Sequence, residues 1–177
     1  MIFAWLFNAT CMMLVSAHIV PHAMDIGFSA GEAATILSLL GASRAAGLVL
    51  MGGAADRIGK KRIAIICALF QAGAVAWLIW ANELWMLYLF VVVYGFSFGG
   101  FLPSITALIG DTFGLGSLGS ILGVLDVGWA IGAATGPIIG GIIFDINESY
   151  SMAFLIGAVA IAIVAPLIAL IKTGRKN

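Results

Sequence analysis

The stretch Gly47-Leu-Val-Leu-Met-Gly52-Gly-Ala-Ala-Asp56-Arg57-Ile-Gly59-Lys60-Lys61-Arg62 joins an apolar helix end to a glycine and a cluster of four cations. Behind it, residues 33–55 form an apolar run broken by one charge, Arg44; ahead of it, residues 63–81 carry no charge. Two apolar runs that meet at a short basic joint read as two membrane-crossing helices turning back at the cytoplasmic surface. Gly59 permits the tight turn, Arg57, Lys60, Lys61 and Arg62 hold the joint on the cytoplasmic side, and Asp56 can face the positive N-terminal end of a neighbouring helix.

Working outward, the same alternation repeats along the chain. Residues 84–110 and 149–171 contain no charged residue, and residues 118–144 contain one, Asp126. Each run matches or exceeds the roughly 20 residues that cross a ~30 Å hydrocarbon core. The first run, from residue 2 to about 20, is apolar with Asn8, Thr10, Ser16 and His18 as its polar members. It lacks the basic n-region and small-residue cleavage site of a signal peptide. The expectation is an all-α integral membrane protein: one six-helix transmembrane bundle over residues 1–177, with helices at about 2–20, 32–55, 63–81, 84–110, 118–144 and 150–171.

Composition agrees. The chain is 63% hydrophobic and 9% charged, with a mean hydropathy of +1.17, whereas a soluble domain carries about 25% charged residues. Seven of the eight Lys and Arg residues lie in the 57–62 joint or in the tail at Lys172, Arg175 and Lys176, while Asp25, Glu32, Glu83, Asp145 and Glu148 occupy the opposite loops. One alternating path fits this bias: a multi-pass protein of the cell (plasma or inner) membrane with both termini cytoplasmic. The formal net charge of zero argues against a nucleic-acid partner, which needs a basic surface. Cys11 and Cys67 sit inside apolar helices without metal-ligand spacing, so neither a metal nor a cofactor is expected.

Lipid supplies no hydrophobic force between helices, so small residues that let backbones approach must do more of the packing. Gly128, Gly132, Gly136 and Gly140 recur every four residues in the fifth helix, and Gly95, Gly99 and Pro103 follow the same spacing in the fourth. Pro103 and Pro137 are tolerated where neighbours or cavity water satisfy the freed carbonyls. These residues read as packing and bending devices.

The joint at residues 47–62 resembles the loop signature of the major facilitator superfamily, Gly-x-x-x-Asp-Arg-x-Gly-Lys/Arg-Lys/Arg, here carried by Gly52, Asp56, Arg57, Gly59, Lys60 and Lys61. The stretch His18-Ile-Val-Pro21-His22-Ala-Met-Asp25-Ile-Gly27 is similar to the seventh helix of monocarboxylate-type members. Tyr94-Gly95-x-x-x-Gly99-Gly100-x-x-Pro103 resembles the tenth, and Gly132-x-x-x-Gly136-Pro137-x-x-Gly140-Gly141-x-x-x-Asp145 the eleventh. The resemblance, closest to the monocarboxylate/oxalate-type branch, implies the C-terminal half of a twelve-helix carrier. Such a carrier transports a small solute, here an organic anion, by alternating access with proton coupling or exchange. A cavity between two bundles needs both. The expected partners are therefore lipid, the solute, and either a missing N-terminal six-helix half, the chain being a fragment, or a second copy of this chain.

Arg44 leads the candidate site residues. It lies roughly 18 Å of helix from Asp56, near the bilayer midplane, where a cation costs about 2.5 kcal/mol or more and should face a cavity or a carboxylate. Gly41 and Gly47 flank its face and leave room for the side chain. The resemblance gives it the role of the arginine that holds a substrate carboxylate, which suits a bidentate guanidinium; the alternative is a buried ion pair with Asp126. Asp126 shares a helix face with Trp129, Ala130 and Ala133, as a proton-coupling group or a counter-ion. The oxalate-type pattern would favour a cation there. His18 and His22 near the outer end could gate or sense pH, with His18 grouped with the substrate site, or could be interfacial hydrogen-bonding residues. The resemblance gives Asp56 and Arg57 a cytoplasmic gating role, with Asp111 as the expected partner of Arg57.

Two readings from other classes remain at this level. Gly95-Phe-Ser97-Phe-Gly99 matches the hydrolase pattern Gly-x-Ser-x-Gly and would suit an intramembrane serine protease, although a nucleophile elbow needs a strand, a turn and a helix. A non-transporting membrane subunit or receptor could keep the same half-bundle.

Overall fold

The computed structural model describes residues 1–171; the side chain of Leu115 and the basic tail with Lys172, Arg175 and Lys176 lie outside the described residues. Six helices follow one another: α1 Ile2–Asp25, α2 Ala30–Ile58, α3 Lys60–Leu78, α4 Leu84–Phe113, α5 Leu118–Asn147 and α6 Ser151–Ala169, with a 3₁₀ turn at Leu115–Ser117 before α5. All six are long and apolar enough to cross a membrane.

The helix ends differ from the sequence expectation in ways local chemistry explains. α1 runs through Pro21 to Asp25, because lost backbone bonds can be made up in a bundle. α2 starts earlier on a capping box: Ser29 Oγ accepts from the Glu32 amide at 3.3 Å while Glu32 Oε2 accepts from the Ser29 amide at 2.8 Å, which satisfies two orphan donors. The α2–α3 joint is a single residue, Gly59, with φ of 108°, a region open to glycine. Lys60, Lys61 and Arg62 therefore become the first turn of α3. Cations there oppose the helix dipole, and two of them are offset by contacts: Lys60 Nζ lies 2.8 Å from Asp111 Oδ2, and Lys61 Nζ donates to the Ala169 and Ile171 carbonyls at the end of α6, at 2.8 and 2.6 Å.

Packing is organised around two glycine seams. At Gly95 a Cβ would stand 2.8 Å from the Leu40 carbonyl oxygen of α2, and at Gly99 it would strike the Arg44 carbonyl. Gly47 meets the Phe96 backbone from the other side, so it makes room for α4 rather than for the Arg44 side chain as expected. On the other seam, Cβ atoms at Gly132 and Gly136 would strike the Leu6 and Thr10 carbonyls of α1. α2 is thereby locked to α4 and α5 to α1, while α3 and α6 pack on each other and behind α4 and α1. The most apolar stretches of α1 and α4 are each 56% buried, against 22% for α2 and α5. The two outer members of the seams thus leave a broad apolar face uncovered, with Val49, Leu50, Ile138 and Ile146 exposed.

Candidate functional site

Arg44 reaches from α2 across the seam that Gly99 opens. Its guanidinium carbon stands 4.2 Å from the centroid of the Phe98 ring on α4, a cation–π contact. The half-buried side chain lines an open cleft of about 340 Å³ with Gly41, Ala45, Leu48, Phe98 and Leu102. Neighbouring small residues give it that room; the floor is aromatic.

Asp126 sits on α5 with its side chain exposed. Its Oδ1 accepts a hydrogen bond from Trp5 Nε1 of α1 at 3.3 Å. Arg44 and Asp126 do not form the ion pair that the sequence offered as the alternative: among the described residues, the one salt bridge is Lys60–Asp111. A line of aromatic rings connects them instead. Phe98 and Trp129 have centroids 6.4 Å apart, and Trp129 meets Trp5 edge-on at 6.4 Å. Tyr94 and Phe90 extend the stack along α4, at 6.4 and 5.3 Å between successive centroids. Of these aromatics the sequence reading placed only Trp129 beside Asp126; Phe98 and Trp5 were not connected with the site. The available signal was Trp129 one turn after Asp126 and Phe98 beside Gly99.

His18 is not part of this group. At about 1.5 Å per residue it stands about 20 Å along α1 from Trp5, its ring in the slot left by Gly140, with Nε2 3.0 Å from the Pro137 carbonyl and the Tyr150 ring 5.0 Å away. His22 meets Tyr150 and Phe154 edge-on at 6.0 and 5.1 Å. Both histidines thus belong to the α1–α5–α6 joint, and Gly140 serves the histidine ring rather than a backbone contact.

At the α2–α3 turn the expected Arg57–Asp111 pair is replaced by Lys60–Asp111. The one-residue turn at Gly59 throws Lys60 toward the end of α4, whereas Arg57 remains on the last turn of α2 beside Val49, Leu50 and Gly53. Asp56 and Arg57 are exposed. Asp56 and Gly59 line a cleft of about 540 Å³ with Lys60, Arg62 and Asp111. Pro103 lines an adjoining cleft with Leu48, Lys60 and Leu118. Gly52 faces open space.

The hydrolase pattern has no elbow. Ser97 lies within the unbroken α4, is 3% exposed and donates to the Val93 carbonyl at 2.6 Å. One buried polar pair stands apart: Asn8 Nδ2 donates to Gln71 Oε1 at 3.2 Å between α1 and α3.

The comparisons with known proteins agree with this architecture. Residues 1–176 match the model of the Major Facilitator Superfamily. The chain is 28% identical over 159 residues to Monocarboxylate transporter 12 of Xenopus laevis, covering 88% of this chain and 35% of that protein. It is 30% identical over 155 residues to Monocarboxylate transporter 12 of Homo sapiens, covering 85% and 30%. Against Multidrug resistance protein MdtG of Proteus mirabilis it is 33% identical over 108 residues, covering 61% and 27%. The chain thus spans about a third of the length of the curated relatives it matches. With six apolar helices on two glycine seams and a family match along nearly its whole length, this chain belongs to the major facilitator superfamily, a family of transporters rather than enzymes.

Proposed function

We propose that this six-helix unit is the C-terminal half of an alternating-access carrier for small organic anions, with Arg44 holding the solute carboxylate. The carrying observation is the guanidinium itself: deep in the membrane, seated on Phe98, free of a carboxylate partner among the described residues and open to a cleft. A cation in that position costs about 2.5 kcal/mol or more to insert, and an incoming carboxylate offsets that cost through two charge-assisted hydrogen bonds. The names of the relatives, monocarboxylate transporters among them, support the substrate class.

The uncovered faces of α2 and α5 suit a second six-helix bundle, either an N-terminal half or another copy of this chain, about an axis along the membrane normal. In this reading both termini are cytoplasmic and the protein resides in the plasma or inner membrane. Asp56 and Arg57 engage the second bundle in one state and release it in the other. Uptake runs as proton symport or as exchange.

The test is uptake of radiolabelled small carboxylates by proteoliposomes holding the complete assembly. Arg44→Lys keeps the charge and loses the planar fork; uptake is expected to drop at least about 100-fold, or about 2.7 kcal/mol, with membrane yield within twofold of the parent. Undiminished uptake by that variant would remove the clamp.

A further inference from the structure

Arg44 and Asp126 are both accessible on the open side of the bundle, and neither is matched by an opposite charge among the described residues. Arg44 stands about 21 Å of helix above the cytoplasmic end of α2 and Asp126 about 12 Å above that of α5, a difference in height of about 9 Å. Between them run the rings of Phe98, Trp129 and Trp5. The half-site is therefore a cation and an anion at two ends of an aromatic wall.

Resting on the carboxylate-clamp reading above, we infer that the solute is bipolar: an elongated molecule with a carboxylate for Arg44, a flat apolar or aromatic body for the ring wall, and a cationic or hydrogen-bond-donating end for Asp126. Charge balance supports such a molecule. A simple monoanion would neutralise Arg44 and leave the Asp126 carboxylate with no opposite charge, held only by the Trp5 indole N–H, and an uncompensated charge at membrane depth is penalised. A solute carrying both charges leaves the half-site neutral. Trp129, the partly exposed ring of the three, favours the same molecule, because an aromatic surface packs a flat body and attracts a cation held near it. Trp5 uses only one acceptor site of the Asp126 carboxylate, and a carboxylate has about four, so the oxygens retain capacity for an ammonium or guanidinium. Nothing else among the described residues uses that capacity.

The experiment compares two competitors of carboxylate uptake in proteoliposomes holding the complete assembly: 3-phenylpropionate, and the same acid with a para-aminomethyl group. The aminomethyl acid is expected to compete at least tenfold more strongly. In Asp126→Asn the ratio should collapse toward one, with the aminomethyl acid weakened and the plain acid strengthened, because the repelling charge has gone. If the plain acid competes as well as or better than the aminomethyl acid in the parent, the bipolar proposal is overturned while the carboxylate clamp stands. If Asp126→Asn weakens both acids alike and leaves the ratio unchanged, Asp126 is not a solute contact and the proposal is likewise overturned. If no carboxylate is taken up at all, the clamp reading itself has failed, and the two failures are distinguishable.

Discussion

The chain uses charge in two opposite ways at two depths. At the α2–α3 turn charges sit in exposed or partly exposed positions and stitch helices together: Lys60 bridges to Asp111 and Lys61 binds carbonyls at the end of α6. At mid-membrane, where pairing would relieve the greatest penalty, Arg44 and Asp126 stay apart, the first resting on the Phe98 ring and the second accepting a hydrogen bond from the Trp5 indole. The contrast is that these charges near the helix ends are matched by contacts of the fold, whereas the two at depth are left without an opposite charge among the described residues.

The comparison can be broken most severely at the seam beneath Arg44. Gly99→Val forces side-chain carbons onto the Arg44 carbonyl and is expected to cost about 1–3 kcal/mol or more. Thermal melting of the detergent-solubilised protein should fall by several degrees, with the matching change Gly132→Val in the other seam giving a similar drop. A melting point unmoved by either would mean the helices are not in the contact described. Less costly, and sharper, is Phe98→Leu, which keeps an apolar floor but removes the π face under the guanidinium. It should weaken apparent carboxylate affinity about tenfold, in line with a cation–π contact of about 1–2 kcal/mol in a partly desolvated setting, and, because Phe98 is 2% exposed, it should also lower the melting point. The smallest effect belongs to the stitching charges. Lys60→Met should cost under about 1 kcal/mol, because the pair's side chains are 28% and 52% exposed and solvent screens them; a loss of several kcal/mol on a denaturation curve would overturn the division of labour drawn here.

What could be read from the sequence was set by period and composition. Six apolar runs, the basic joint and the glycine spacings each act over one helix or one turn, and the fold follows from them. The site was legible only as its two charges, since Arg44 and Asp126 stand out against apolar runs at once. Their surroundings were not, because Phe98, Trp129 and Trp5 come together only once α4, α5 and α1 pack, and an aromatic in a hydrophobic run carries no signal of its own. The Arg57–Asp111 expectation failed for a related reason. Charge signs permitted either partner, and the choice fell to the one-residue turn at Gly59, which decides what the next side chain can reach. His18 was grouped with the substrate site by its chemistry, yet the length of α1 takes it about 20 Å from Trp5.

That joint has a mechanical meaning as well. With Gly59 alone between them, α2 and α3 have no slack, so a tilt of one must drag the other like the arms of a bent wire. Arg44 rides part-way up the first arm, and Lys60, hooked to the foot of α4, begins the second. A pull on the Arg44 guanidinium would therefore pass straight to the Gly59 turn and on to the Lys60–Asp111 contact, with only one residue between the two arms.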